Sequence, residues 1–341
     1  MAINGKRYWG VLPPQPAAQL VAYAKQAEAW GLEGLWGIQL PGPAFLPLAT
    51  AAAGTERLKL GTGVALAFTR SPLETAMSAL DLDLISSGRV VLGVGPSVQF
   101  VNEHWHGVPY DKPLKRLREA VTLIRLILDR GYTGELGKWE GTYYKVDLSG
   151  LNVIPKPVCP HIPLYLPALF TSAVRLAAEV ADGLVGHPIW SLRWIREQVI
   201  PTLGKHLEQT HKAREGFELN LFTYVAINPD RRQAIADARG TVAFYASIAQ
   251  YEKYFTAHGF GEAAHRAASA AQQHDYSAML SAIPDEMVET FATVGPPDEV
   301  RGKLIEVWKL ADSVTIIAPI NFLTPDQILS YQQAIATTLY Q

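Results

Sequence analysis

RLKLGTGVALAFTRSPLETAMSALDLDLISSGRVVLGVG, from Arg57 to Gly95, reads as one strand–helix–strand unit. Leu58–Leu66 forms the first strand, Pro72 opens the helix, and Arg89–Gly95 forms the second strand. Proline suits the first turn of a helix, where its missing N–H is not needed, and Gly88 suits the position just past a helix end. Both strands are apolar on both faces, the pattern of parallel strands covered by helices. Each also ends in glycine, Gly61 and Gly63 in one, Gly93 and Gly95 in the other. Glycine lets a ligand lie against the main chain, so these strand ends read as ligand-facing. Neighbouring parallel strands that open toward one ligand have the geometry of an α/β enzyme.

The same rhythm continues in both directions. Strand-like segments lie at Tyr8–Leu12, Gly34–Gln39, Leu58–Leu66, Val90–Gly95, Leu164–Leu169, Gly183–His187, Glu218–Ile227 and Ser313–Pro319. Between them, helical periodicity covers Pro16–Trp30, Pro43–Ala53, Pro72–Ser86, Lys115–Arg130, Ser172–Ala181 and Leu192–His211, and Pro325–Leu339 closes the chain. Eight strands alternating with helices predict an α/β fold of the closed (β/α)8 TIM-barrel type, with a doubly wound open sheet as the alternative. One domain spans 1–341, interrupted by insertions at about 96–163, after the fourth strand, and about 230–312, after the seventh. In a barrel both insertions stand on the catalytic face, where long excursions serve as lids or oligomer contacts.

The composition narrows the function. With 48% hydrophobic and 18% charged residues, the 341-residue chain supports one sizeable core. A formal charge of −2 gives no pull toward nucleic acid or an anionic membrane. A lone cysteine, Cys159, fits a reducing cytoplasm, and no run reads as a signal peptide or a membrane span.

Three constellations carry chemistry. In TSAVRLAAEVADG (171–183), Thr171 and Ser172 stand at a helix start directly after a strand. Free amides and the helix dipole make such a start a phosphate site, although an ordinary N-cap has the same sequence. No GxGxxG or GxxxxGK[ST] competes for that role. Glu103, a few residues past the glycine-rich strand end, is a candidate proton donor if a half-closed pocket raises its pKa; the alternative is a solvated loop carboxylate. His104 and His106 lack the further ligands that a metal requires, so no metal is expected. Arg57, Arg89 and Asp182 read as structural pairing groups at the opposite face, and Trp30, Trp36, Trp190 and Trp194 as core or rim aromatics. Serine-nucleophile chemistry has no GxSxG elbow here.

Taken together, ATAAAGTERLKLGTGV (49–64), SSGRVVLGVG (ending at Gly95), HGVPYDKPLKRLREAVTLIR (106–125), IPKPVCPHIPLYLPAL (154–169) and AAEVADGLV (177–185) resemble the bacterial luciferase-like flavin oxidoreductases. Within that superfamily the likeness is strongest to the branch that uses the deazaflavin coenzyme F420. The resemblance covers the chain to about Pro188 and continues only in outline beyond. It implies a flavin or deazaflavin ring over the strand ends, with Gln39, Gly63, Val64 and Ser97 around it and a non-prolyl cis bond at Gly63–Val64. It also implies a phosphate pocket at Ala168, Leu169, Phe170, Thr171 and Ser172 together with Gly186 and His187. GPSVQFVNEHWHG (95–107) resembles the loop that brings a carboxylate to the ring, which places Glu103, and His104 beside it, in proton donation. Two departures stand out: Gln39 and Leu40 occupy a strand end that is commonly acidic or His in the family, and Phe170 replaces a frequent glycine.

The chain is thus expected to be a cytoplasmic, homodimeric oxidoreductase with coenzyme F420. It is expected to pass hydride between the cofactor and a small organic substrate of the carbonyl, alcohol or enone class, with no nucleic-acid or membrane partner. The alternatives are an FMN-dependent monooxygenase fed by a reductase and, because Gln39 is not ionisable, a non-catalytic flavin-binding barrel.

Overall fold

The computed structural model describes residues 5–40 and 42–341; residues 1–4 and Pro41, the latter inside the GLWGIQLPG strand-end motif, lie outside the described residues. The fold is the expected closed barrel of eight parallel strands surrounded by helices. In chain order the elements begin β1 (Tyr8–Leu12), α1 (Ala17–Ala29), β2 (Gly34–Gly37), α2 (Phe45–Ala52), β3 (Lys59–Thr62), β4 (Ala65–Leu66), α3 (Pro72–Ser86) and β5 (Val90–Gly95). They continue with α4 (Pro113–Arg130), β6 (Lys138–Glu140), β7 (Lys145–Asp147), β8 (Leu164–Ala168), α5 (Thr171–Val180), β9 (Gly183–Gly186), α6 (Leu192–Trp194), α7 (Ile200–Gln209) and β10 (Glu218–Ile227). The last third holds α8 (Arg231–Ala246), α9 (Glu252–Thr256), α10 (Gly261–Gln272), α11 (Tyr276–Ser281), α12 (Asp285–Phe291), β11 (Thr293–Gly295), α13 (Pro297–Trp308), β12 (Ser313–Ile317) and α14 (Pro325–Ile335).

By internal contact the chain forms two compact units. The first comprises Tyr8–Val185 and Pro201–Leu219. In it β1 pairs with β2, β2 with β3, β3 with β5 and β5 with β8, all parallel. The interior of this unit is filled by two indoles: Trp9 and Trp36 stack with ring centroids 4.2 Å apart, and Tyr165 of β8 meets Trp36 at 6.2 Å. Space for them comes from glycines on the neighbouring strands. A side chain at Gly34 would stand 2.5 Å from the Trp9 ring, and one at Gly61 would run into Trp36. Of the strand-end glycines, Gly61 and Gly63 make room for Trp36, whereas Gly93 lies against the Thr62 carbonyl. Gly95 too is backed by Pro167 and Val64, so on the side where a side chain would stand all four glycines meet packed protein atoms.

Helix α3 shows why the opening motif is so legible. Ser71 caps it by accepting from Glu74 N–H at 3.0 Å, Pro72 lies in the first turn, and the chain leaves through Ser87 and Gly88, both left-handed. The preceding strand is less simple than its sequence, since Leu58–Leu66 divides into β3 and β4 at a cis Gly63–Val64 peptide. The predicted Leu192–His211 helix is likewise interrupted, with a π-helical turn at Ile195–Val199 between α6 and α7. Pro201 explains the break: it has no N–H, and its ring crowds the carbonyl of the preceding turn.

The segment 96–163 is only partly an excursion. Helix α4 packs on α3 and α5 as a barrel helix, burying Leu117, Val121, Ile124, Ile127 and Leu128. The departure is the antiparallel β6–β7 hairpin, pinned by Glu119, whose carboxylate accepts from the N–H groups of Thr142, Tyr143 and Tyr144. The second unit comprises Gly186–Ile200 and Asn220–Gln341. There β10 pairs in parallel with β12, and a buried Asn220 joins Ser313 and Thr315 at 2.8 and 2.7 Å. The end of β10 also pairs with β11, so the alanine-rich 230–312 segment contains a short parallel strand besides its helices.

Candidate active site

At the C-terminal ends of the first unit's strands, Gln39 is the organising side chain. Its Oε1 accepts from Leu66 N–H at 3.1 Å and from Arg70 at 3.3 Å, while its amide donates to Thr69 at 3.4 Å. Gln39 thus braces the end of β2 to the turn that follows β4, a role that an amide with one donor side and one acceptor side fills and a carboxylate would not. Beside it opens a cavity of about 240 Å³ lined by Gln39, Leu66, Arg70, Val101, Trp105 and His106.

The far wall of that cavity is the turn after β5. Val101–Trp105 forms one π-helical turn, fixed from within by Asn102, whose buried side chain donates to Pro96 and Val98 carbonyls at 2.7 and 2.9 Å. Ser97 precedes it in a left-handed conformation, φ 59°, and its carbonyl accepts from the Tyr110 hydroxyl at 2.9 Å. Glu103 projects outward from this turn. Its carboxylate accepts from Gln99 at 2.9 Å and from Tyr110 N–H at 3.4 Å, and the residue is exposed. His104 stacks on Phe100 at 4.7 Å and is exposed as well, and Trp105 is 58% exposed. The half-closed pocket on which the proton-donor reading of Glu103 depends is therefore not formed by the described residues, since neither His104 nor Trp105 buries the carboxylate.

Helix α5 follows β8 through Leu169 and Phe170, with Ala168 and Leu169 buried. Its N-cap is Phe170, which has no side chain to cap with, so the ordinary capping role is not filled by Thr171 or Ser172. Ala173 and Val174 N–H bond back to Phe170 at 2.9 and 3.2 Å. Among the described residues, the N–H groups of Thr171 and Ser172 and both hydroxyls have no acceptor or donor partner. Two amides and two hydroxyls at the positive end of a helix dipole form a donor set suited to a phosphate.

In the second unit Gly186 ends β9 against the Trp190 ring, and His187 follows it. The imidazole sits edge-on between Tyr245 and Tyr251, with centroids 5.1 and 5.0 Å away, and Tyr245 shares a 3.2 Å hydrogen bond with Tyr224. Burial of the ring pushes the His187 pKa down to about 3, so the group is neutral at ordinary pH. It offers a hydrogen bond rather than charge.

The structure therefore brings Gln39 and the turn carrying Glu103 and His104 to one cavity, and gives Thr171 and Ser172 an unsatisfied helix start. Sequence reasoning missed Arg70, Thr69 and His106 as cavity residues, together with the Tyr224–Tyr245 pair. The available signal was position: AFTR (67–70) directly follows a strand end and precedes the Ser71 cap.

Comparison with known proteins gives the site its context. The family model described as luciferase-like monooxygenase matches residues 2–312. A Mycobacterium tuberculosis protein, provisionally named a coenzyme F420-dependent oxidoreductase, is 31% identical over 89% of this chain and 90% of its own length. The 5,10-methylenetetrahydromethanopterin reductase of Archaeoglobus fulgidus is 29% identical over 94% of this chain and 95% of its own. Among solved structures, the coenzyme F420-dependent tetrahydromethanopterin reductase of Methanopyrus kandleri superposes with a TM-score of 0.81 at 23% identity, covering 98% of this chain and 97% of that one, a likeness of fold.

Proposed function

The chain belongs to the luciferase-like monooxygenase family, and we propose that within it this protein is an F420-dependent oxidoreductase acting on a small organic substrate of the carbonyl, alcohol or enone class. The observation that carries the cofactor part is the unsatisfied start of α5, since a phosphorylated cofactor supplies the acceptors that Thr171 and Ser172 lack. Likeness along nearly the whole chain to an F420-dependent oxidoreductase and to a methylenetetrahydromethanopterin reductase supports the deazaflavin over FMN. When bound, the deazaflavin supplies hydride transfer without ready activation of oxygen.

The residues of the chain divide the remaining work. Ala168, Leu169 and Phe170 lead the backbone to the phosphate donors Thr171 and Ser172. Gly186 and His187 extend the proposed cofactor contacts in the second unit, His187 through a neutral hydrogen bond. Gly63, Val64, Ser97 and the braced Gln39 are proposed to meet the ring. Glu103 and His104 are proposed to handle the proton, on the support that their turn also contributes Val101 and Trp105 to the cavity. Their exposure means that bound ligand, not the protein alone, has to exclude water from them.

An FMN-dependent monooxygenase is the second reading, favoured by the family's own description. The proposed setting is a cytoplasmic homodimer; no described helix is long and apolar enough to cross a membrane. The test is anaerobic turnover. Reduced F420 is mixed with a panel of carbonyl and enone compounds, and oxidation of the cofactor that depends on both protein and acceptor is the expected result. Turnover only with reduced FMN and oxygen would replace this reading with the second.

A further inference from the structure

Arg70 lines a cavity, and most of its donors have no partner among the described residues. Its side chain is only 14% exposed. One guanidinium N–H reaches Gln39 Oε1 at 3.3 Å, and Nε stands 3.6 Å from Glu74, a carboxylate that is itself 63% exposed. The guanidinium lies over the Phe45 ring, its central carbon 5.4 Å from the ring centroid. A guanidinium has five N–H donors in a rigid fork, and leaving them unsatisfied away from water is costly. Besides Arg70, the cavity is lined by the polar residues Gln39, Thr69 and His106 and by the apolar residues Leu66, Val101 and Trp105. An oxyanion attached to an apolar body suits this mixed lining, and the arginine fork matches a carboxylate two-pronged.

We propose that this cavity is an acid-recognition subsite, in which Arg70 receives a carboxylate of the substrate, so that the substrates are organic acids. The inference rests on the oxidoreductase reading and narrows its substrate class. A tetrahedral phosphate has its own donor set at the start of α5, which leaves the Arg70 fork for another anion.

The test uses the full chain and a charged and neutral pair of equal shape, 4-fluorobenzoate and 4-fluorobenzamide, with binding followed by fluorine NMR and without turnover. Wild-type protein is expected to bind the acid about tenfold more tightly than the amide, the difference that one charge-assisted contact makes. Arg70→Met should bring the two within about twofold while leaving the amide unchanged. Equal affinity in wild type, or equal loss of both ligands in the variant, would overturn the proposal. If Arg70→Met does not fold, Arg70→Lys decides: it keeps the charge and loses the fork, so the acid preference must fall by about threefold or more, and an undiminished preference overturns the idea. A further titration adds saturating F420. The acid preference should persist; competitive loss of the acid would assign Arg70 to the cofactor and remove the substrate inference. Failure of F420 to bind at all would count against the oxidoreductase reading, with the acid measurement still judged on its own result.

Discussion

Arg89 and Arg70 stand near opposite ends of the third barrel strand, both half-buried, and they are used in opposite ways. Arg89 donates to the carbonyls of Ser86, Leu58, Thr55 and Ala52 at 2.6, 2.7, 2.9 and 3.2 Å and also to the Thr55 hydroxyl at 2.9 Å. The same turn is held from its amide side by Glu28, whose carboxylate accepts from the N–H groups of Glu56, Arg57 and Leu58. Around Arg70, by contrast, one hydrogen bond, a loose ion pair and the Phe45 ring are what engage the guanidinium among the described residues. A satisfied cation stabilises the fold, whereas an unsatisfied one at the strand C-termini is available to a ligand.

The largest expected effect falls on the satisfied side. Arg89→Ala strips donors from several carbonyls at once and should lower unfolding stability by about 3 kcal/mol in urea titrations, whereas Arg70→Met should cost less than about 1 kcal/mol. Similar losses at the two positions would dissolve the contrast. Next in size is the chemistry of the strand-end face. Glu103→Gln keeps the shape of the side chain and removes its transferable proton, so F420 should still bind while turnover drops by about a hundredfold. Full turnover in that variant would make Glu103 a bystander and leave His104 or water as the donor.

A smaller effect tests the helix start. Thr171→Pro is tolerated at the first position of α5, where the preceding Phe170 already has extended backbone at φ −98° and ψ 157°. It removes one amide and one hydroxyl, so cofactor affinity should fall about tenfold with the melting temperature unchanged; unaltered affinity would move the phosphate elsewhere. The smallest effect is one of pH. Although desolvation opposes it, bonding to three backbone N–H groups lowers the Glu28 pKa below its ordinary value. Its stabilisation is therefore complete above the unfolded carboxylate pKa, near about 4.3, and is lost as pH falls through the lower folded value. Glu28→Gln should flatten that acid limb by roughly 0.5 kcal/mol, a modest figure because the group is largely solvated. An unchanged urea midpoint from neutral to acid pH in wild type would mean that the Glu28 carboxylate adds nothing measurable to stability.

The barrel was legible because strands buried on both faces announce themselves as short apolar runs, and all eight predicted strand segments contain an observed strand. Arg89 and Asp182 were also read correctly as structural groups; Asp182 pairs with Arg125 at 2.5 Å and accepts from Leu164 N–H. What the glycines accommodate was not legible. Gly61 and Gly63 announce an empty place beside the backbone, but that Trp36 fills it depends on register between strands distant in sequence. For the same reason Arg70 passed unnoticed, since the number of donors left over after folding is a property of its neighbours. Thr171 and Ser172 were found as a helix start, yet only the structure shows that Phe170 is the N-cap and leaves their amides without acceptors. Glu103 was read as lying just past the glycine-rich strand end, where the turn after β5 carries it, but its exposure depends on side-chain directions that spacing alone does not fix.

Whether F420 is the cofactor is tested most directly by binding. The purified full chain is titrated in parallel with F420 and with FMN while tryptophan fluorescence is followed. Saturable quenching by F420 is predicted, at an affinity at least about tenfold above that of FMN, with the F420 affinity reduced in Thr171→Pro. Tighter binding of FMN, or binding of neither, would contradict the assignment.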